Sequence, residues 1–220
     1  VSVRWIERKL NNFMNKILGT NRVDYVIASD TDSIYLHMSP LVEKVIGDKN
    51  IPKSKIIDIL DKFCKDKIEP FIDSSYTELA NYTHAYAQQL QLKRENIADR
   101  GIWTAKKRYI LNVWDSEGVR YDKPKLKMMG IEAVKSSTPA PCRTMIKDAL
   151  SLIMEKTEAD VIDFIESCRL RFKMLPPEEI AFPRSVSDVK KYKSSVSMYR
   201  KGTPIHVRGA ILYNHHILQN

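Results

Sequence analysis

Ile27-Ala28-Ser29-Asp30-Thr31-Asp32-Ser33-Ile34-Tyr35 sets two carboxylates one residue apart between two apolar runs, Tyr25-Val26-Ile27 and Ile34-Tyr35-Leu36. Two β-prone runs joined by a polar turn predict a hairpin. Side chains two apart in an extended chain point the same way, so Asp30 and Asp32 are expected to face one point in space. Like charges that share a point repel unless a cation sits there, and oxygen-only ligands of this kind suit magnesium. The plainer alternative is a solvated turn, since Asp and Thr commonly bond their own backbone. The apolar strands on both sides favour the cation.

Working outward from the hairpin, residues 4–18 predict an amphipathic helix, with Trp5, Ile6, Leu10, Phe13, Met14, Ile17 and Leu18 at helical spacing and Gly19 as its stop. Beyond the hairpin, residues 41–46 predict a short helical turn. Ser54 is the expected cap of the next helix, whose face carries Ile56, Ile57, Ile59, Leu60 and Phe63. Pro70 predicts a kink or break, with helix resuming to Tyr86. A strand is expected over residues 90–97, and residues 102–114 are strongly β-prone. Asp115-Ser116-Glu117-Gly118 then turns the chain into a second hairpin. This order predicts an α+β domain with an antiparallel sheet.

The remainder has another character. Thr138-Pro139 marks a helix start. A second helix is expected from Val161 to Met174, ended by Pro176-Pro177. Residues 178–204 are polar, basic and aperiodic, which predicts a loop-rich segment. Residues 205–218 suit either a strand or a short helix. The expected boundary between the two parts lies near 130–138.

The 220 residues suffice for a substantial core, and 43% of them are hydrophobic. No apolar run has the length of a membrane span, and the first residues lack the features of a signal peptide. A first residue other than Met suggests a cut or processed piece. The three cysteines have no metal-ligand spacing, so reduced thiols in a cytoplasmic setting are expected. The net charge is +9, and it is concentrated. Residues 93–135 carry +5 and residues 184–208 carry +6, which leaves the rest slightly acidic. Such clustering points to a polyanionic partner, although a solvated basic face has the same composition.

Four motifs occur in order: Asp30-Thr31-Asp32-Ser33, Lys106-Lys107-Arg108-Tyr109, Lys125-Leu126-Lys127-Met128-Met129-Gly130 and Ser136-Ser137-Thr138-Pro139. The series resembles the C-terminal half of the family B DNA polymerases, most of all the replicative enzymes of T-even-type bacteriophages. The resemblance covers most of the chain. It implies an antiparallel palm sheet with packed helices over residues 1–130, followed by a mainly helical, truncated thumb over 131–220. It implies DNA-templated DNA synthesis with magnesium, primer-template DNA and deoxynucleoside triphosphates. A phage-encoded enzyme of this kind would work in the cytoplasm of the infected host.

By the same resemblance, Asp32 is the catalytic metal ligand and Asp30 a secondary carboxylate. Lys107 would probe the minor groove near the primer end, where acceptors are present on every base pair. Tyr109 would steady the primer. Treated as one continuous strand, Lys106-Lys107-Arg108-Tyr109 would send Lys107 and Tyr109 to one face and Lys106 and Arg108 to the other. An edge strand guarded by lysines would look the same in isolation. Lys125 and Lys127 would hold backbone phosphates, which position a duplex without reading it. Lys190, Lys191, Lys193, Arg200, Lys201 and Arg208 are further phosphate candidates. His215-His216 lack partners at a metal-binding spacing.

There are also departures. Ser29 stands where the family usually has Gly. The stretch 96–101 is shorter than the glycine-rich loop of close relatives. Glu95 matches a palm carboxylate, but Lys93 lies where an acid is expected. The exonuclease, the fingers and the earlier motif whose Asp completes a two-metal site have no counterpart here. The implied role is therefore the C-terminal piece of a split or truncated polymerase, completed by a separate chain. A non-catalytic DNA-binding module or degenerate remnant is the alternative. A sugar transferase with an Asp-x-Asp site is disfavoured by the ordered basic motifs.

Overall fold

The first helix, α1 (Ser2–Leu18), buries Ile6, Leu10 and Met14 at four-residue spacing on one stripe. It ends at Gly19, whose N–H bonds the Asn15 carbonyl at 2.9 Å. The structure is a computed structural model and describes residues 1–47, 49 and 51–218. The α+β class expected from the sequence holds. By its internal contacts the chain divides into two compact units, Val1–Ile131 and Glu132–Asn220.

In the first unit, β1 (Val26–Ser29) and β2 (Ile34–Leu36) form the hairpin around the paired aspartates. Helix α2 (Ser39–Ile46) follows, then α3 (Lys53–Phe63), a π-helical turn at Cys64–Ile68, and α4 (Glu69–Tyr82). Pro70 lies in the first turn of α4, where its missing N–H costs least. The expected break is thus a widened π turn just ahead of the proline, a common way to absorb an irregular backbone. Pro52 stands at the N-cap of α3 and Ser54 lies inside the helix, so Ser54 is not its cap. α4 ends at Tyr82 and stops short of Tyr86.

The principal core packs α1 on α4. Ile6, Leu10, Met14, Tyr25, Leu41, Ile72 and Tyr76 meet there. Phe13 and Phe71 stack with ring centroids 4.2 Å apart, and the Trp5 indole N–H bonds the Ser75 carbonyl at 2.9 Å. Cys64 sits beside this core, and burial pushes its thiol up to about 11.

A three-stranded antiparallel sheet has the order β3 (Asn96–Ala105), β4 (Arg108–Ser116), β5 (Val119–Met129). Residues 90–95, expected as strand, precede β3 without being part of it. The β-prone run 102–114 is two strands with a turn at Lys106-Lys107, which corrects the reading of Lys106–Tyr109 as one strand. Glu117 and Gly118 both take positive φ, as a two-residue hairpin turn of the primed type requires. Pro124 lies on β5, an edge strand, where a lost ladder donor is tolerated.

Buried charge ties the helices to the sheet. The Arg94 guanidinium bonds Asp61 of α3 and Asp115 of β4, with side chains only 9%, 15% and 0% exposed. Arg120 adds a contact of 3.2 Å to Asp115. The backbone N–H of Arg94 also bonds the Glu69 carboxylate at 3.1 Å. These bonds hold residues 90–95 in place without a ladder.

The second unit contains α5 (Ala140–Glu155), α6 (Glu158–Met174), the short α7 (Pro177–Ile180) and α8 (Ile205–His216). Thr138 is buried and makes no cap bond to α5, whose N-cap is Pro139. A reciprocal capping box of Thr157 and Asp160 starts α6. Residues 181–204 are irregular apart from a 3₁₀ turn at Val189–Tyr192, and 205–216 resolve as helix. No helix among the described residues is long and apolar enough to cross a membrane.

Candidate active site and nucleic-acid interface

The aspartate hairpin is hung from α1 by two asparagines one turn apart. Asn11 Oδ1 accepts from the N–H groups of Tyr25 at 2.8 Å and Val26 at 2.9 Å. The Asn15 side chain bonds both the carbonyl and the N–H of Val23, at 2.7 and 3.1 Å. The strands then pair Val26 with Leu36, Ala28 with Tyr35 and Ser29 with Ile34, with a bulge at Ile27. The Asp30 N–H bonds the Ser33 carbonyl at 2.9 Å and closes the turn.

Asp30 and Asp32 lie in this turn, so the geometry of an extended chain does not apply to them. Asp30 folds back to accept the Thr31 N–H at 2.8 Å, and Lys107 Nζ lies 3.4 Å from the same oxygen. The Thr31 N–H is the main reason that the Asp30 carboxyl titrates below the usual range, and Lys107 adds to it. Asp32 is exposed and makes no hydrogen bond or ion pair with described residues. Among the described residues no three His, Cys, Asp or Glu side chains gather as a metal-binding group. One unengaged carboxylate and one tied to a lysine make a partial donor set for magnesium, which needs an octahedral shell of oxygens.

The hairpin meets the three-stranded sheet through Tyr35. Its ring centroid lies 5.4 Å from that of Tyr109 and 5.2 Å from that of Trp103, both edge-on. Burial drives the Tyr35 phenol well above its ordinary pKa, and the Tyr109 hydroxyl adds to the rise. Leu111, Val113 and Tyr121 complete this small cluster.

Lys106 and Lys107 form the exposed tip between β3 and β4, with Lys107 at φ 60°. Gly130, at φ 66°, packs under that tip so closely that a Cβ on it would lie 2.4 Å from the Lys107 carbonyl oxygen. Arg108 is half-buried and donates to the Gly130 carbonyl at 3.1 Å. Tyr109 is buried in the aromatic cluster. On β5, Lys125 pairs with Val113 and Lys127 with Leu111, so both lysines share the face of Tyr109. Lys125 Nζ lies 4.1 Å from the Tyr121 ring centre, and Lys127 Nζ lies 3.7 Å from the Glu95 carboxylate. Both lysines stand on β5.

Asp30, Lys107, Tyr109, Lys125, Lys127 and Glu95 thus come to the same side of the first unit, around Tyr35. Lys106 shares the tip. His215 and His216 face one another edge-on at the end of α8, with ring centroids 5.0 Å apart. In the second unit, Arg208 Nε bonds the Thr203 carbonyl at 2.7 Å and Arg200 Nε bonds the Lys193 carbonyl at 2.9 Å. Lys190, Lys191, Lys193 and Lys201 are exposed. Sequence reasoning missed Asn11, Asn15 and the bridging place of Tyr35. The only signal for the asparagines is their spacing of four along the flank of the apolar stripe, each next in sequence to a buried residue, Leu10 or Met14.

No family model matches the chain. It is 35% identical over 228 residues to the DNA-directed DNA polymerase of Escherichia phage RB69, with all of this chain and 25% of that protein covered. It is 34% identical over 221 residues to the DNA-directed DNA polymerase of Enterobacteria phage T4, with 97% of this chain and 24% of that protein covered. The chain therefore spans about a quarter of the length of these relatives. The resemblance carried by the four ordered motifs stands: along its whole length this chain is similar to DNA-directed DNA polymerases of T4-like phages.

Proposed function

We propose that this chain provides a metal-binding carboxylate and much of the duplex grip for DNA-templated DNA synthesis, as the C-terminal piece of a split or truncated family B polymerase. Residues 1–130 correspond to part of the palm and 131–220 to part of the thumb. The observation that supports this best is the meeting of two remote motifs: Lys107 Nζ stands 3.4 Å from Asp30 Oδ1, and Tyr35 packs on Tyr109.

In this reading Asp32 is the principal ligand and Asp30 the secondary one. Asp32 and Asp30 would hold magnesium, which would supply activation of the primer 3′-hydroxyl and charge neutralisation of the triphosphate. A further segment or chain completes that site. Phosphoryl transfer needs chiefly in-line positioning and charge stabilisation. Lys106 and Lys107, on an exposed tip, reach the primer end. Arg108 braces the tip against Gly130, and Tyr109 gives it a rigid aromatic base. Lys125 and Lys127 meet backbone phosphates from the strand below.

The test mixes this chain with the part of a T4-like polymerase that precedes the matched stretch and follows primer extension. Extension is expected with the native chain and is expected to vanish in Asp32→Ala while duplex binding persists. Absence of extension with normal duplex binding would sink the catalytic reading. It would favour a non-catalytic DNA-binding module, which the incomplete carboxylate set also suits.

A further inference from the structure

Helix α6 of the second unit buries none of its 17 residues. Val161, Phe164 and Cys168 are half-buried, and α5 packs along the helix. A second apolar stripe stays open to solvent. Ile162, Ile165 and Phe172 are 53%, 41% and 37% exposed. Together with Arg169 they stand at intervals of three, four and three residues, the repeat of a two-helix seam. A helix normally turns such a stripe to a partner.

The charges on α6 are sorted by sign. Glu158, Asp160, Asp163 and Glu166 occupy its first half, and Arg169, Arg171 and Lys173 its second. Acids early and bases late also suit the helix dipole, but that effect fades beyond the first and last turns. Asp163, Glu166 and Arg169 lie in the interior of the helix, where the dipole does not account for them. A second α6 laid antiparallel sets the acidic half of each copy against the basic half of the other. A parallel copy sets like charge on like. The surface therefore complements itself in one orientation, as a two-fold interface requires. Glu166 and Arg169 form an ion pair within one copy, which a second copy can exchange for the crossed pair.

We propose that α6 is a self-association surface, on which a second copy of this chain docks antiparallel through Ile162, Ile165 and Phe172. The inference concerns the second unit and does not rest on the proposed catalytic role.

Sedimentation velocity of the full chain, from about 1 to 100 μM, supplies the test. The native chain is expected to pass from monomer to dimer over that range, and added salt to weaken the dimer. Ile165→Glu is expected to weaken it at least about ten-fold, whereas Ile205→Glu, at an exposed site outside α6, leaves it unchanged. Two charge-reversed chains examine the orientation. One carries Arg169→Glu with Lys173→Glu, and the other Glu158→Lys with Glu166→Lys. Each is expected to self-associate more weakly than the native chain, and an equimolar mixture to pair more tightly than either alone. A native chain that stays monomeric throughout would overturn the proposal. So would a dimer untouched by Ile165→Glu, or a mixture that pairs no better than its parts. Displacement of the second copy by the remaining portion of the phage RB69 polymerase would overturn it as well, because the stripe would then belong to that portion.

Discussion

Lys107 Nζ lies 3.4 Å from Asp30 Oδ1, which joins two motifs far apart in sequence by a single ion pair at the protein surface. The pair is exposed enough that water screens it, and its main consequence is for protonation rather than stability. Replacing Lys107 with Met is expected to raise the titration point of Asp30. The carboxyl stays below its ordinary range, because the Thr31 N–H remains bonded to it. A depressed carboxylate stays ionised until the pH falls through its folded pKa. The variant therefore loses that charge at a higher pH than the native chain. Carbon-detected NMR of Asp30 checks this, and an unchanged titration would show that the lysine does not act on it.

Gly130 is expected to tolerate no side chain. An added Cβ meets the Lys107 carbonyl at 2.4 Å, and the position already has φ 66°. Both the neighbour and the strained conformation are backbone properties, so no rotamer relieves them. Gly130→Ala is expected to cost about 1–3 kcal/mol in urea unfolding and to weaken duplex binding by displacing the Lys106-Lys107 tip. Native stability with native binding would contradict the role given to this contact.

The buried Arg94 network carries an acid-dependent share of the stability. Burial opposes ionisation of Asp61, but Lys65 and Arg94 outweigh it and hold its carboxyl below the ordinary range. The stabilisation is then full above the unfolded carboxylate value, about 3.9, and is lost as the pH falls through the lower folded value. Arg94→Met leaves Asp115 buried without its main counter-ion and is expected to destabilise by about 3–5 kcal/mol. It should also flatten the fall in stability between about pH 5 and pH 3. Urea melts across that range, with and without the substitution, supply the check.

In the second unit the arginines and lysines are expected to behave differently. Arg200 and Arg208 spend their Nε–H groups on the backbone carbonyls of Lys193 and Thr203. Lys193 and Lys201 are exposed. Lys193→Ala and Lys201→Ala should each reduce the slope of log affinity against log salt by about one, through counterion release. Arg208→Ala should lower the melting temperature as well. Fluorescence anisotropy with a labelled duplex at several salt concentrations measures the first effect. A salt-independent affinity would remove the basic segment from the interface.

The elements that carried a clear period were legible. α1 shows its apolar stripe at four-residue spacing, and the aspartate hairpin shows two β-prone runs around a polar turn. The break at Pro70 was legible as an interruption but not as a π turn, because the sequence does not say which bond geometry absorbs the missing donor. Lys106-Lys107 was misread because neither residue is a turn former. The tip forms there because the ladder pairs Ala105 with Arg108 and because Gly130 packs beneath it, a contact across the sheet that no local pattern reveals. Residues 90–95 were misread for the opposite reason. Their alternation mimics a strand, while residues 90–95 are held by Arg94 in a buried charge network. Of the candidate site, the four ordered motifs were legible as stretches of sequence. Their convergence around Tyr35 was not.

The aspartate hairpin is fastened at its two ends by unlike forces. Asn11 and Asn15 grip the entering chain with hydrogen bonds, and Tyr35 holds the far strand through ring contacts with Trp103 and Tyr109. Apolar contacts weaken on cooling, whereas the polar grip does not follow the same curve. Temperature therefore changes the balance between the two fastenings.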